Sequence, residues 1–267
     1  MNPGISRGRH QLVVLLLLAV FAREANANAQ GRGGQAPAPA TAQAAAPKDL
    51  TGYWVSVVTE DWRWRMVVPI KGDFAGVPLN AEGRKVATAW DPANDKPGDD
   101  QCKPYGAASL MRVPGRLHIT WADANTLRID TDSGTQTRLL HFGGSPPPAG
   151  APQWQGYSDA SWDGTLKGRG AQAQKAGEDP RGYLKVLTTH MRPGYLRRNG
   201  IPYGPDATLE EYLDRFAEPN GDIWLVATLV VTDPQYLNQP YVTHAQFKKV
   251  PDASGWDPTP CRMNEAR

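Results

Sequence analysis

The apolar run Ile223–Val231 constrains the fold of this chain more than any other segment. It is the longest apolar stretch beyond the N-terminal region, and the turn pair Asp233-Pro234 follows it closely. Both of its alternating sets of side chains are apolar, which is typical of a central strand covered on both sides. We therefore predict a sheet in which this segment is an inner strand.

Alternation of apolar and polar residues predicts further strands on either side of that run. Residues 53–58 and 183–190 alternate in this way, and residues 127–132 and 136–142 form a pair joined by the turn Asp132-Ser133-Gly134. Short strands at this spacing, separated by turn residues, indicate a mostly β chain.

Two short helices are predicted as well. Asn80 caps the first, Ala81–Trp90, and Asp91-Pro92 stops it. The second is Thr208–Phe216, which opens on a capping-box pattern and carries an apolar stripe at helical spacing. Because that stripe is too narrow to be buried all round, we expect the second helix to lie across an opening of the sheet structure, between strands 183–190 and 223–231.

The N-terminal region has the composition of an export signal. Residues 1–29 have a basic start, an apolar run from Leu12 to Ala22 and a small-residue cleavage site at Ala27–Ala29. Residues 30–47 are rich in Ala, Gly, Pro and Gln and are predicted to be a disordered linker, which leaves 48–267 as one domain. This organisation predicts a periplasmic or secreted protein with no integral membrane span after cleavage. An uncleaved membrane anchor is the alternative.

The charge balance narrows the class of partner. The chain has 29 Lys and Arg against 27 Asp and Glu, and removal of residues 1–29 leaves 26 of each sign. A neutral domain argues against nucleic acid or an anionic membrane as the main partner. We expect a small-molecule ligand instead.

The two cysteines, Cys102 and Cys261, are predicted to form a disulfide, because an even pair in an exported chain is usually oxidised. Closing so long a loop stabilises the fold by up to about 5 kcal/mol. Free or metal-binding thiols are the alternative, although no C-x-x-C spacing supports them.

Five short motifs in a fixed order resemble those of a family of exported bacterial proteins of uncharacterised function. They are Leu50–Trp54, Trp90–Pro92, Cys102–Gly106, Gly156–Trp162 and Thr232–Pro234. The Gly52-x-Trp54 pair also resembles the opening strand of lipocalin-type barrels, in which the Trp plugs one end. The resemblance implies an antiparallel, lipocalin-like β-barrel, and it implies no activity. The acidic Trp-Glu-Gly-Asp-Thr of many family members is matched in part by Trp162–Thr165.

Known catalytic and cofactor motifs are absent from the sequence. It contains no HExxH, no G-x-S-x-G, no phosphate-binding P-loop and no dinucleotide fingerprint, so we predict no cofactor and no motif-borne metal. A metal held by histidines from separate strands is left open, since His118, His141, His190 and His244 remain after signal removal.

The segment after strand 183–190 is the predicted catalytic region. Imidazole is the side chain best suited to proton transfer near neutral pH, which makes His190 the predicted acid–base residue, while Arg192 and Tyr203 would stabilise an anionic oxygen. This predicts a cofactor-free lyase, isomerase or hydrolase. The alternative is that His190 bonds a backbone carbonyl and the arginines cap loops.

Aromatic residues support the function hypothesis that we place first, the binding of a small aromatic or apolar ligand in the barrel mouth; the cofactor-free enzyme is its alternative. In residues 60–65 two indoles alternate with two arginines, which suits a flat or anionic ligand, although packed indoles and solvated arginines at a rim give the same pattern. The predicted ligand-binding residues are Trp54, Trp62, Trp64, Tyr157, Tyr195 and Arg197. Convergence of His190, Tyr203 and a distant polar side chain would favour the enzyme, and a purely aromatic pocket would favour the binder.

Overall fold

A computed structural model of the chain describes Met1 and residues 40–164 and 181–263. The predicted signal and residues 30–39 of the predicted linker lie outside the described residues. Among the described residues, no helix has the length and apolar character needed to cross a membrane.

The described chain is mostly β-strand, with short helices in the connections. The strands are β1 (Gly52–Val57), β2 (Arg116–Asp123), β3 (Thr126–Thr131), β4 (Ser133–Gly134), β5 (Thr137–Phe142), β6 (Tyr157–Asp163), β7 (Tyr183–Thr189), β8 (Gly194–Arg197), β9 (Ile201–Tyr203), β10 (Thr208–Ala217), β11 (Ile223–Thr232), β12 (Tyr241–Val250) and β13 (Thr259–Pro260). The helices are α1 (Trp62–Arg65), α2 (Ala81–Ala89) and α3 (Ala107–Leu110), with 3-10 turns at Pro92–Asn94 and Asp99–Tyr105.

Nine strands close into a barrel in the order β1-β12-β11-β10-β7-β6-β5-β3-β2. A closed ring with an odd number of strands cannot alternate direction at every seam, so at least one neighbouring pair must be parallel. Here that pair is β5–β6, which meets over residues 140–142 and 158–160, and the other seams are antiparallel. The predicted antiparallel β-barrel is therefore confirmed, with one parallel seam that the sequence did not predict.

The predicted inner strand 223–231 is confirmed as part of β11, between β10 and β12. Its inward side chains are fully buried: Leu225, Ala227, Leu229 and Val231. Its outward set, which includes Trp224 and Val230, is only partly buried. The prediction that both faces of this strand are covered was therefore too strong. The outer face of a barrel strand is buried only where a connecting segment packs against it.

The predicted helix Thr208–Phe216 is wrong, because this segment is strand β10. It pairs with β11 along its whole length and with β7 over residues 209–213. Burial alternates, with Leu209, Glu211 and Leu213 inside and their neighbours partly exposed. The helical stripe arose by coincidence, and Glu211, expected to close a capping box, instead points into the barrel. The other predicted helix is confirmed as α2, and the side chain of Asn80 caps it by accepting a hydrogen bond from Gly83 N.

A buried ion pair links four strands inside the barrel. Arg138 of β5 donates to both carboxylate oxygens of Glu211 of β10, at 2.9 and 2.5 Å, and each side chain is 1 % exposed. Arg138 also donates to Ser158 of β6 and Thr188 of β7. These contacts cross the parallel seam, where backbone pairing is short, so the pair ties together the strands on both sides of it.

The connections gather at the end of the barrel where β1 and β7 finish, which we call the covered end. Strand directions place residues 58–115, between β1 and β2, and residues 190–207, between β7 and β10, both at this end. The hairpin β8–β9 lies within the second connection. The two long connections therefore meet over one opening of the barrel.

The predicted disulfide is confirmed, with Cys102 and Cys261 joined and their Cα atoms 5.0 Å apart. It fastens the C-terminal segment to the 3-10 turn Asp99–Tyr105. At the other terminus the ordered chain begins before Lys48: Ala42 N donates to Asn125, and Trp162 donates to Ala42 O. The last residues of the predicted linker thus contact the barrel.

Replacing Glu211 with Gln should lower the free energy of unfolding by about 3–5 kcal/mol, because Arg138 would keep a buried charge without its partner. Urea unfolding measures this. Its matched control is Glu210→Gln on the outer face, where the pair with Lys185 is 3.4 Å long and half-exposed; this change should cost less than about 1 kcal/mol. Equal effects of the two substitutions would contradict the role given to the pair.

Candidate functional site

A small cavity of about 30 Å³ lies where the two long connections meet at the covered end. The first connection supplies seven lining residues: Trp64, Arg65, Pro104, Ser109, Arg112, Val113 and Pro114. The second supplies Leu196, Arg197 and Arg198. Four of the lining residues are arginines, and each of those four is at least nine-tenths buried. Such a concentration of cations around one void indicates an anion site.

Among the four lining arginines, Arg65 has the most buried nitrogens that lack an acceptor in the described chain. It is 3 % exposed, and its Nε donates to Arg112 O at 3.0 Å. Its two terminal nitrogens, Nη1 and Nη2, are buried without a hydrogen-bond partner among the described residues. Burial and the neighbouring Arg112 guanidinium lower the pKa of Arg65 to about 10 against the opposing attraction of Glu60 and Asp61, which still leaves it charged at neutral pH. Buried donors are almost always satisfied in folded proteins, so a missing acceptor is indicated.

The other arginines are held by the fold. Arg112 donates to Asp61 at 2.6 Å and to His244 O at 3.1 Å. Arg197 donates to Ala75 O and to the Tyr241 hydroxyl, although its buried Nε has no partner in the described chain. Their positions are therefore fixed independently of any ligand.

Arg198 and Asn199 hold the segment that carries Arg65 by hydrogen bonds to its backbone carbonyls. Arg198 donates to Arg65 O at 2.8 Å. Asn199, fully buried, donates to Ile70 O and to Asp73 O. The segment that carries Arg65 is thus bonded at three backbone carbonyls to the β8–β9 hairpin.

Backbone strain occurs immediately before Arg65. Asp61 has φ 54°, in the left-handed region, and it precedes the first residue of α1. The backbone nitrogens of Trp64 and Arg65 both donate to Asp61 O, and Arg112 binds its carboxylate. A non-glycine residue in this region costs roughly 1–3 kcal/mol, and such strain concentrates at functional sites.

Two of the six predicted ligand-binding residues, Trp64 and Arg197, line the cavity. The guanidinium groups of Arg63 and Arg197 lie 4.8 and 4.4 Å from the centre of the Trp64 ring. The indole therefore positions cations in the structure. Trp62, at 64 % exposed, faces solvent beside the site.

The other three predicted ligand-binding aromatics are placed elsewhere. Trp54 is fully buried in the barrel core and donates to Leu50 O, which fits the plug expected from the lipocalin-like opening. Tyr157 stacks on His141 and donates to Ser145 O. Tyr195 donates to Asp95, and burial together with that carboxylate raises the pKa of its hydroxyl.

The three predicted catalytic residues differ in exposure and in hydrogen bonding, and none of them lines the cavity. His190 is exposed, and its ring contacts the Thr189 hydroxyl at 2.9 Å. Tyr203 is 1 % exposed; its hydroxyl lacks a partner in the described part of the chain, and burial raises its pKa. Arg192 is bonded to Asp99 and lies over the Trp154 ring.

Arg65, Arg112 and Arg198 are not among the predicted ligand-binding residues. Arg65 enters the sequence analysis only as one of the two arginines beside the indoles of residues 60–65, and Arg198 follows the predicted Arg197 directly. Arg112 had no local signal, because its partner Asp61 is 51 residues away in the chain.

Among the described residues there is no group of three or more His, Cys, Asp or Glu placed to hold a metal ion. Comparisons with protein-family models, with curated proteins and with solved structures found no match for this chain. The resemblance to an uncharacterised exported family therefore stays a prediction, and the function has to be argued from the site.

The backbone conformation at His190 can be tested for its effect on the stability of the fold. It has φ 56°, a left-handed conformation that costs about 1–2 kcal/mol for a residue with a Cβ atom. His190→Gly should therefore raise the thermal midpoint by a few degrees, and calorimetry measures it. The control Thr189→Gly, in strand β7, should lower it. A lower midpoint for His190→Gly would mean that the ring makes a stabilising contact.

Proposed function

We propose that the protein is a periplasmic or secreted binding protein that takes a small ligand by its anionic group at the covered end of the barrel. Arg65 is the main contact, and Arg197 and Arg112 add to the positive field. The observation that carries the proposal is the pair of buried Arg65 nitrogens without an acceptor. An oxyanion such as a carboxylate accepts two parallel hydrogen bonds from a guanidinium group, which suits the two terminal nitrogens of Arg65.

The cavity is large enough for one small chemical group of a ligand and too small for a whole organic ligand. Its volume, about 30 Å³, is of the order that one or two water molecules need. A carboxylate or a similar oxyanion fits such a space, whereas the body of an organic ligand does not. The rest of the ligand therefore lies outside the cavity, on the surface of the covered end.

The binding hypothesis is favoured over catalysis by His190, Tyr203 and Arg192. His190 is exposed, Tyr203 is buried and Arg192 is already bonded to Asp99, and none of the three lines the cavity. The aromatic residues of the original hypothesis contribute less than expected, because the face of Trp64 is occupied by guanidinium groups. The charge of the ligand therefore matters more for recognition than an aromatic ring does.

Titration with sodium acetate and with sodium phosphate, at constant ionic strength in chloride, tests the proposal. Backbone amide signals of Ser109 and Leu196, two residues that line the cavity, should shift saturably with at least one of the two anions. Arg65→Gln should weaken that binding by about 10- to 100-fold, the worth of a charged hydrogen bond. Circular dichroism confirms that the variant is folded.

The matched control is Arg63→Gln, two residues away on the same helix. Arg63 is exposed and pairs with Asp73 at 2.6 Å, so its loss should leave the anion affinity within about twofold. The proposal is rejected if neither anion gives a saturable change, or if Arg65→Gln binds as well as the unmodified protein.

A further inference from the structure

Apolar side chains are exposed on the segment that carries Arg65. Trp62, Met66, Val67 and Ile70, which we call the apolar ridge, are half of the exposed large apolar residues in the described chain, and Ile70 is 76 % exposed. Scattered single apolar residues on a surface need no explanation, whereas four exposed apolar residues within nine positions are candidates for one interaction surface.

The ridge is held in place by buried polar groups. Asn199 bonds the carbonyls of Ile70 and Asp73, and Arg198 bonds that of Arg65. The ends of the ridge segment are further fixed by Trp64 Nε1 and Arg63, which both donate to Asp73. Because the backbone is anchored while the apolar side chains face solvent, their exposure is a property of the fold.

The ridge is continuous along the chain with the anion cavity. Met66 directly follows Arg65, and Trp62 lies one helical turn before Met66. The cavity admits a head group, and the ridge is the apolar surface nearest in sequence to it. Extending the proposed function, on which this step depends, we propose that the ligand is an amphipathic anion whose head group binds Arg65 and whose hydrocarbon part lies along the ridge.

Local charges favour a single amphiphile over a membrane surface. Arg63, the exposed arginine of the ridge segment, is paired with Asp73, and the exposed Lys71 follows Ile70. Positive and negative residues are equal in number from residue 30 onward, 26 of each, so the domain has no general attraction to an anionic bilayer. Selection by Arg65 together with apolar contact therefore points to a monomeric ligand.

A series of straight-chain carboxylates from acetate to decanoate, kept below the concentrations at which they aggregate, tests the inference by calorimetric or NMR titration. Each added methylene should raise the affinity about two- to fourfold until the ridge is covered, since a fully buried methylene corresponds to about fourfold. Arg65→Gln should weaken every member of the series by a similar factor.

The ridge variant is Val67→Ser with Ile70→Ser. It should flatten the dependence on chain length and leave acetate binding unchanged. The matched control is Leu139→Ser with Leu187→Ser, two exposed leucines on strands β5 and β7, which should keep the original slope.

Three results would overturn the inference. If acetate binds but longer chains bind no better, the anion site stands and the amphiphile is wrong. If no member binds and phosphate does not bind either, the proposed function fails as well. If the protein sediments with phosphatidylglycerol vesicles and Arg65→Gln does so equally, the ridge is a membrane contact independent of the anion site.

Discussion

The odd number of strands in the closed barrel is the constraint on which the arrangement of the covered end depends. It forces one parallel seam, and the chain must return along the length of the barrel between β5 and β6 to make it. That return, residues 143–156, ends against the first connection: Trp154 O accepts from Ala107 N, and Gln155 donates to Tyr105 O. The same stretch of the first connection delivers Ser109 and Arg112 to the cavity. Closure of the barrel and construction of the site are therefore parts of one packing arrangement.

Arg65 is unfavourable for stability in the free protein. A buried guanidinium with two unbonded nitrogens has lost its hydration without full replacement. Arg112 repels it, and the carboxylates of Glu60 and Asp61 offset part of that cost. The strained backbone at Asp61 adds to the cost. The hydrogen bonds of Arg198 and Asn199 hold the segment in place. In the proposed function, an anion in the cavity would supply the acceptors that Arg65 lacks.

The strands were predictable where side chains alternate between a packed interior and a wetter outside, as in residues 53–57 and 183–189. Thr208–Phe216 was assigned to a helix because Glu211 was taken for a solvent-facing cap, and its partner Arg138 lies 73 residues earlier. At the site, Trp64 and Arg197 were predictable from clustered arginines and aromatics. Arg112 and the position of His190 were not, because both depend on contacts between distant segments. The parallel seam was likewise invisible, since it follows from the total number of strands in the ring.

The free energy of unfolding of Arg65→Met tests the central claim most directly, because binding and structural roles predict opposite signs. Met keeps an unbranched, apolar side chain and removes the uncompensated charge. If the cavity is an anion site, the variant should be more stable than the parent by about 1 kcal/mol in dilute chloride, and hexanoate should stabilise only the parent. A loss of about 2 kcal/mol or more on this substitution, with stabilisation by hexanoate unchanged, would show that Arg65 is a structural residue and that the ligand binds elsewhere.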